Sequence, residues 1–234
     1  MLLEKGRFEL KFLIDFEQKG ELLENCRGLL QPDPHGSSGT YRVTSQYYDS
    51  PGYSMYLEKL DGVHIRKKIR LRFYGRLPSA KTFFMEVKHR EDRIIRKERV
   101  PLPEKYARDV LKGSRSLKGL TRFAGGSETA GRVELDAYQM RLVPTAVISY
   151  LREAWMGRLE PGLRLTFDQF CCSTRAGRFH PGVEARPLHG SNLMIMEVKF
   201  DKALPNWLAT RINRIGANPI RFSKYAEGVE ALRR

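Results

Sequence analysis

Cysteine is scarce in this chain of 234 residues, with only three, and histidine numbers five. Cys26, Cys171 and Cys172 are odd in number and two are adjacent, so they cannot form a disulfide framework. They read as inert core thiols in a reducing cytoplasm. No Cys-x-x-Cys pair or His/Cys spacing resembles a zinc site. Long apolar runs are missing too: none approaches the roughly 18–20 residues needed to span a bilayer, and Met1–Leu13 has no signal-peptide core. Internal repeats and a boundary for a second domain are absent, which points to one domain over residues 1–234. Acidic residues are few beside basic ones, 27 against 42, for a net charge of +15. Such an excess calls for an anionic partner, whether nucleic acid, a phosphorylated molecule, an acidic membrane surface or polyphosphate. The apolar fraction of 41% is enough for a folded core.

The positive charge is patterned. In Lys68-Ile69-Arg70-Leu71-Arg72-Phe73-Tyr74 the cations alternate with apolar residues. Strand side chains alternate between two faces, so Lys68, Arg70 and Arg72 share one face and Ile69, Leu71 and Phe73 the other. The pattern returns in Arg7–Lys11, Glu86-Val87-Lys88, Arg164–Asp168 and Glu197-Val198-Lys199. Strands are expected at Phe8–Ile14, Tyr41–Tyr48, Ile65–Tyr74, Thr82–His89, Arg93–Val100, Thr145–Ala154, Leu163–Gln169 and Leu193–Phe200. Helices are expected at Glu17–Leu30, Tyr53–Leu60, Pro103–Lys112, Pro205–Ile215 and Ser223–Leu232, with Ser223 as N-cap. Glu134–Arg141 fits helix or strand. Gly113–Gly131 reads as a mobile connection, and 31–39 and 176–191 as loops.

Strands that are long, hairpin-linked, polar on one face and apolar on the other fit an α+β fold. The expected architecture is a closed antiparallel β-barrel whose charged lumen is a tunnel and whose outside is covered by helices. Lysines and arginines gathered in one lumen repel each other unless an anion of comparable charge binds there. Arginine suits phosphate through its planar fork, and phosphoryl transfer asks a protein mainly for positioning, neutralisation and a metal.

The ordered series Arg7–Lys11, Tyr47-Tyr48-Asp49-Ser50, Lys68–Gly75, Glu86-Val87-Lys88, Tyr150-Leu151-Arg152, Arg164–Asp168, Glu197-Val198-Lys199 and Phe222-Ser223-Lys224-Tyr225 resembles the VTC domain. That is the polyphosphate polymerase branch of the triphosphate tunnel metalloenzymes. The resemblance implies transfer of the ATP γ-phosphoryl group to a growing inorganic polyphosphate chain, assisted by manganese or magnesium. It implies phosphate-gripping roles for Arg70, Arg72, Lys88, Arg152, Arg164 and Lys199. It further implies substrate contacts by Lys11, Lys68, Ser223, Lys224 and Tyr74, with Glu197 as metal ligand. The chain would work alone or with a separate membrane protein partner. Triphosphatases of the wider superfamily carry Glu-x-Glu-x-Lys on the first strand; Arg7 in place of the first carboxylate argues against efficient hydrolysis.

Other readings stay open. Glu9 and Glu86 could bind metal or pair with Lys11 and Lys88, and Asp168 could be the counter-ion of Arg164. Tyr47, Tyr48 and Tyr74 could be core or rim aromatics, and Lys67 and the run Arg90–Arg99 solvated charge. A non-catalytic polyphosphate or nucleotide sensor and a triphosphate hydrolase are the alternative functions. Nucleic acid is disfavoured, because neither the aromatic-basic surface of single-strand binders nor a recognition helix is seen.

Overall fold

The structure, a computed structural model, describes residues 7–34, 39–91, 94–177 and 184–234. The expected loop positions 35–38 and 178–183, the strand start at Arg93 and the first six residues lie outside them.

Among the described residues ten strands form one antiparallel sheet: β1 (Phe8–Asp15), β2 (Leu30–Pro32), β3 (Thr40–Asp49), β4 (Ile65–Tyr74), β5 (Phe83–Glu91), β6 (Ile94–Leu102), β7 (Val143–Gly157), β8 (Arg164–Arg175), β9 (Arg186–Pro187) and β10 (Leu193–Phe200). Their order is β1-β10-β8-β7-β3-β4-β5-β6, with β2 added to β7 and β9 to β8. The cross-strand register carries one face through the whole path. Glu9 sits opposite Lys199, Lys199 opposite Arg164, Asp168 opposite Arg152, Arg152 opposite Tyr41, Ser45 opposite Arg72, Arg70 opposite Glu86 and Lys88 opposite Lys97.

The expected closed barrel is corrected in one respect: β1 and β6 end the hydrogen-bonded order, so the backbone ladder does not close. The sheet curls instead until side chains meet across its concave face. The Lys88 ammonium on β5 donates to the Glu9 carboxylate on β1 at 3.1 Å. Strand twist supplies the curl.

Among the described residues seven α-helices accompany the sheet: α1 (Phe16–Asn25), α2 (Ser54–Leu60), α3 (Glu104–Leu111), α4 (Leu120–Phe123), α5 (Glu128–Gln139), α6 (Asn206–Arg214) and α7 (Lys224–Arg233). Two apolar cores lie on the convex side. Ile69, Leu71, Phe73, Phe83 and Met85 pack against Tyr106, Val110 and Leu111 of α3, Leu120 of α4 and Val133 of α5. Phe12, Ile14, Leu165, Phe167, Met194, Met196 and Val198 pack against Leu22 of α1 and Leu208 and Ile212 of α6.

The third core departs from expectation. Tyr225, Ala226 and Val229 of α7 pack on Val43, Tyr47, Ile148, Tyr150 and Ile195, which belong to the concave face. The last helix therefore fills one end of the curled sheet rather than covering its outside. Gly228 permits this approach: a Cβ there would lie 2.2 Å from Ile148 Cδ1 and 3.1 Å from Ser173 Oγ. Asp49 anchors the same end. Its buried carboxylate accepts from the Met55 and Tyr56 amides of α2 at 2.9 and 3.0 Å and from the Tyr225 hydroxyl at 2.6 Å.

Two further expectations change. Gly113–Gly131 is no mobile connection, for Leu117, Leu120 and Ala130 are buried and α4 and the start of α5 lie within it. The first helix ends at Asn25, short of Leu30, because Gly28 adopts φ +81° and turns the chain into β2. Its start is fixed by a capping box, with Asp15 accepting from the Gln18 amide at 2.8 Å and Gln18 accepting from the Asp15 amide at 3.0 Å.

Candidate phosphate-binding tunnel

Among the described residues, the strands and α7 bring to the concave face Lys11, Lys68, Arg70, Arg72, Lys88, Lys97, Arg99, Arg152, Arg164, Lys199 and Lys224, among other cations. Facing them among the described residues are the carboxylates of Asp33, Glu9, Glu86, Asp168 and Glu197. Every residue that the sequence proposed for the site lies in this set or beside it. Tyr74 receives a hydrogen bond from Arg99 Nη2 at 3.1 Å, and Ser223 Oγ receives one from Lys68 Nζ at 2.6 Å.

Two charge hubs organise the face. Glu86, only 1% exposed, holds Arg70 and Arg99 at 2.7 Å, Lys97 at 2.9 Å and Arg72 at 3.5 Å. Burial alone would raise its carboxyl, yet Arg72, Arg70, Lys97 and Arg99 outweigh that and hold it well below the usual carboxylate range. Arg70 is further oriented by Tyr47, whose hydroxyl accepts from Nη1 at 2.8 Å, and Arg72 by Ser45 Oγ, which accepts from Nε at 3.0 Å.

Glu197 is the second hub. It accepts from Lys224 at 2.7 Å and Arg152 at 3.2 Å, with Lys11 at 3.6 Å. Burial again opposes ionisation and the three cations again prevail. Asp168 takes a two-pronged contact from Arg152 at 2.6 and 2.7 Å and a third from Lys224 at 2.5 Å. The expectation that Asp168 serves Arg164 is corrected. Residues four apart on one strand are roughly 13 Å apart, whereas Arg152 lies directly opposite on β7. Arg164 pairs with Asp33 at 2.6 Å and donates to the Tyr41 hydroxyl at 3.0 Å.

Carboxylates do not match cations everywhere. Among the described residues no carboxylate lies within salt-bridge distance of Lys68 or Lys199. Burial, reinforced by Lys11 and Lys88, pushes the Lys68 ammonium well below the usual lysine range. Lys88 and Lys199 are pushed down by burial too. Burial pushes Lys97 down to about 7, with Arg72, Arg70 and Arg99 adding repulsion. These ammonium groups are held partly desolvated and close together, an arrangement that an anion threaded between them would relieve.

Several residues were missed or misassigned. Lys97 and Arg99, expected as solvated charge, sit in the site. Glu86 pairs with Lys97 and three arginines rather than with Lys88, whose partner is Glu9. Lys67 faces the convex side and pairs with Asp136 of α5. Tyr48 is core and Tyr47 is buried beneath Arg70. Arg7 pairs with Asp201 at 3.1 Å, both half-exposed.

No three His, Cys, Asp or Glu side chains gather to hold a metal among the described residues. The donor set nonetheless fits a hard divalent cation. Glu9 and Glu197, on neighbouring strands, converge on one ammonium, Lys11, at 3.2 and 3.6 Å. Magnesium and manganese are commonly held by one or two carboxylates with substrate phosphate oxygens completing the shell.

A curled antiparallel sheet with a cation-lined concave face is the architecture that the tunnel resemblance implies, here with the backbone ladder left open and one end stopped by a helix. The VTC domain matches residues 6–233, and the chain belongs to that family. It is 26% identical over 228 residues to vacuolar transporter chaperone complex subunit 4 of Schizosaccharomyces pombe, covering 81% of this chain and 32% of that protein. It is 28% identical over 229 residues to the same subunit of Trypanosoma brucei brucei, covering 81% and 28%. The chain thus spans about a third of the length of these curated relatives. In fold it is similar to a candidate adenylate cyclase from Bacillus halodurans, with TM-score 0.58, 13% identity and coverage of 95% and 96%. A candidate adenylyl cyclase from Hippeastrum, described as having a dominant triphosphatase activity, gives TM-score 0.56, 14% identity and coverage of 94% and 93%. No helix among the described residues is long and apolar enough to cross a membrane.

Proposed function

We propose that this chain is a single tunnel domain that transfers the γ-phosphoryl group of ATP to the end of an inorganic polyphosphate chain. The observation that supports it most is the surplus of cations over carboxylates on one concave face, where no carboxylate among the described residues lies within salt-bridge distance of Lys68 or Lys199 and burial holds both ammonium groups below the usual lysine range. A linked phosphate chain carries about one negative charge per unit and matches a row of cations better than a single small anion does.

In this reading a terminal oxygen of the polyphosphate attacks the γ-phosphorus. The bond to the β,γ-bridging oxygen breaks, and its electron pair leaves with ADP. Arg70 and Arg72, fixed by Glu86, Tyr47 and Ser45, present guanidinium forks to the phosphoryl oxygens. Lys88, Lys199, Lys11 and Arg152 neutralise the entering chain from the facing wall, and Arg164 does so beside Asp33. Lys224 and the N-terminus of α7 add positive potential at the stopped end, where Ser223 Oγ accepts from the Ala226 amide at 3.3 Å. Lys68 positions that N-terminus through Ser223. Glu9 and Glu197 would hold manganese or magnesium. When held there, such an ion would supply Lewis-acid neutralisation of phosphate charge.

Hydrolysis is the less favoured outcome, since Arg7 stands where a second first-strand carboxylate would be and is turned to Asp201. The chain would act in the cytoplasm, alone or with a separate membrane protein partner, in keeping with relatives named as subunits of a complex. The test is incubation with ATP and manganese or magnesium, across several primers, with gel detection of polymer. ATP-dependent long polyphosphate, lost in Arg72→Ala and Lys88→Ala, is expected. Phosphate release without polymer would assign a hydrolase, and tight binding without turnover a sensor.

A further inference from the structure

The concave face is not uniformly charged. At the Tyr74 end of β4, beyond the Lys68–Ser223 contact that marks the start of α7, it carries three half-buried rings from three adjacent strands, two of them bordering the third core: Tyr41 on β3, Tyr74 on β4 and Phe84 on β5. Tyr41 and Tyr74 meet edge to face with centroids 5.8 Å apart, and Tyr74 and Phe84 at 6.3 Å. Both tyrosine hydroxyls are already engaged by arginines of the cation set: Arg164 donates to Tyr41 and Arg99 to Tyr74. The Arg99 guanidinium also lies over the Phe84 ring, 4.5 Å from its centroid, while its other contact is Glu86 at 2.7 Å. The rings and the phosphate-binding cations are thus parts of one connected cluster.

Aromatic faces are of no use to a bare phosphate chain, because the negative face of a ring repels an anion. Placed where the cation rows begin, they suit a ligand with an uncharged planar ring at one end and linked phosphates at the other. We propose that Tyr41, Tyr74 and Phe84, with Arg99, form a stacking platform for the base of a nucleoside triphosphate, setting the preference for nucleotide over inorganic triphosphate and orienting its phosphates inward. This rests on the triphosphate-binding reading of the tunnel and adds to it the position and direction of the donor. With the base held at this end, the phosphates run past Arg99 toward Arg72, Arg70 and Lys88, and the γ-phosphate points toward α7. Base-on-aromatic stacking tolerates any base, so the platform discriminates base from no base rather than one base from another.

The test is calorimetric binding of ATP, ribose 5-triphosphate and tripolyphosphate to the intact chain without metal. ATP is expected to bind about tenfold tighter than ribose 5-triphosphate. In Phe84→Leu and Phe84→Ala that advantage should vanish, with tripolyphosphate affinity unchanged within about twofold. Equal affinity of the unmodified protein for ATP and ribose 5-triphosphate overturns the platform while leaving the tunnel reading in place. Equal losses for ATP and tripolyphosphate in both variants overturn it as well, since the rings would then be shaping the tunnel. Failure of all three ligands to bind the unmodified protein removes the tunnel reading and the platform with it. The ligand comparison needs no substitution, so a variant that misfolds does not decide the matter.

Discussion

Replacing Glu86 by glutamine removes one negative charge from the middle of four cations while keeping the side chain's size. At an effective dielectric of about 20, each pair at about 4 Å contributes roughly 4 kcal/mol before desolvation. Breaking a buried ionic contact by removing one partner costs about 3–5 kcal/mol, because the other partner is left buried and unmatched. Arg70 and Arg72 are 16% and 7% exposed at their side chains, so water cannot replace the carboxylate. The amide also turns donors toward guanidinium donors. For a chain of this size about 1 kcal/mol shifts the unfolding midpoint by about 2–4 °C, so Glu86→Gln should lower it by about 6–20 °C. Tripolyphosphate should then raise the midpoint of the variant by more than that of the unmodified protein, since the anion restores the missing counter-charge. Thermal unfolding followed by circular dichroism, with and without tripolyphosphate, measures both. A fall of less than about 3 °C, or an equal rise with ligand in both proteins, refutes the view that these cations await an anion.

Arg72→Ala and Lys88→Ala should each weaken tripolyphosphate binding by about tenfold or more, read by calorimetry against a salt series. Lys97, pushed down to about 7 by burial and by Arg72, Arg70 and Arg99, should gain a proton when an anion binds. Because binding favours the charged form, affinity should rise as pH falls from about 8.5 through 7; titrations in buffers of different ionisation enthalpy would show the proton uptake, and Lys97→Met should remove part of it. The same depressed lysine makes the folded state bind fewer protons than the unfolded chain above about pH 7. Its contribution to stability should therefore increase with pH up to the ordinary lysine range. Gly228→Ala should cost about 1–3 kcal/mol in denaturant unfolding, because the added methyl meets Ile148, which is fully buried.

Much of the concave face was legible because alternation on a strand is unambiguous when one face is apolar. Lys68, Arg70 and Arg72 stand out against Ile69, Leu71 and Phe73. Strand β6 carries charge on both faces, which hid it: Lys97 and Arg99 point inward, while Glu98 reaches Thr129 and Arg132 of α5 on the convex side. Asp168 shares a strand face with Arg164, which makes Arg164 one possible counter-ion, but its partner Arg152 comes from cross-strand register, which one strand's pattern does not encode. The stretch from Gly113 to Gly131 looked unstructured because its apolar anchors, Leu117, Leu120 and Ala130, are diluted by glycine, serine and charge. The place of α7 was hidden for another reason. Its apolar side matches Val43, Ile148 and Ile195 on the inside as readily as any outer core, and only the glycine at position 228 hints at so close an approach.

A crystal of the protein grown with a non-hydrolysable ATP analogue and manganese tests the central claim most directly. Phosphates should lie within the concave face, in contact with Arg70, Arg72 and Lys88. An analogue held on the convex side, or a concave face that stays free of phosphate at saturating ligand, would contradict it.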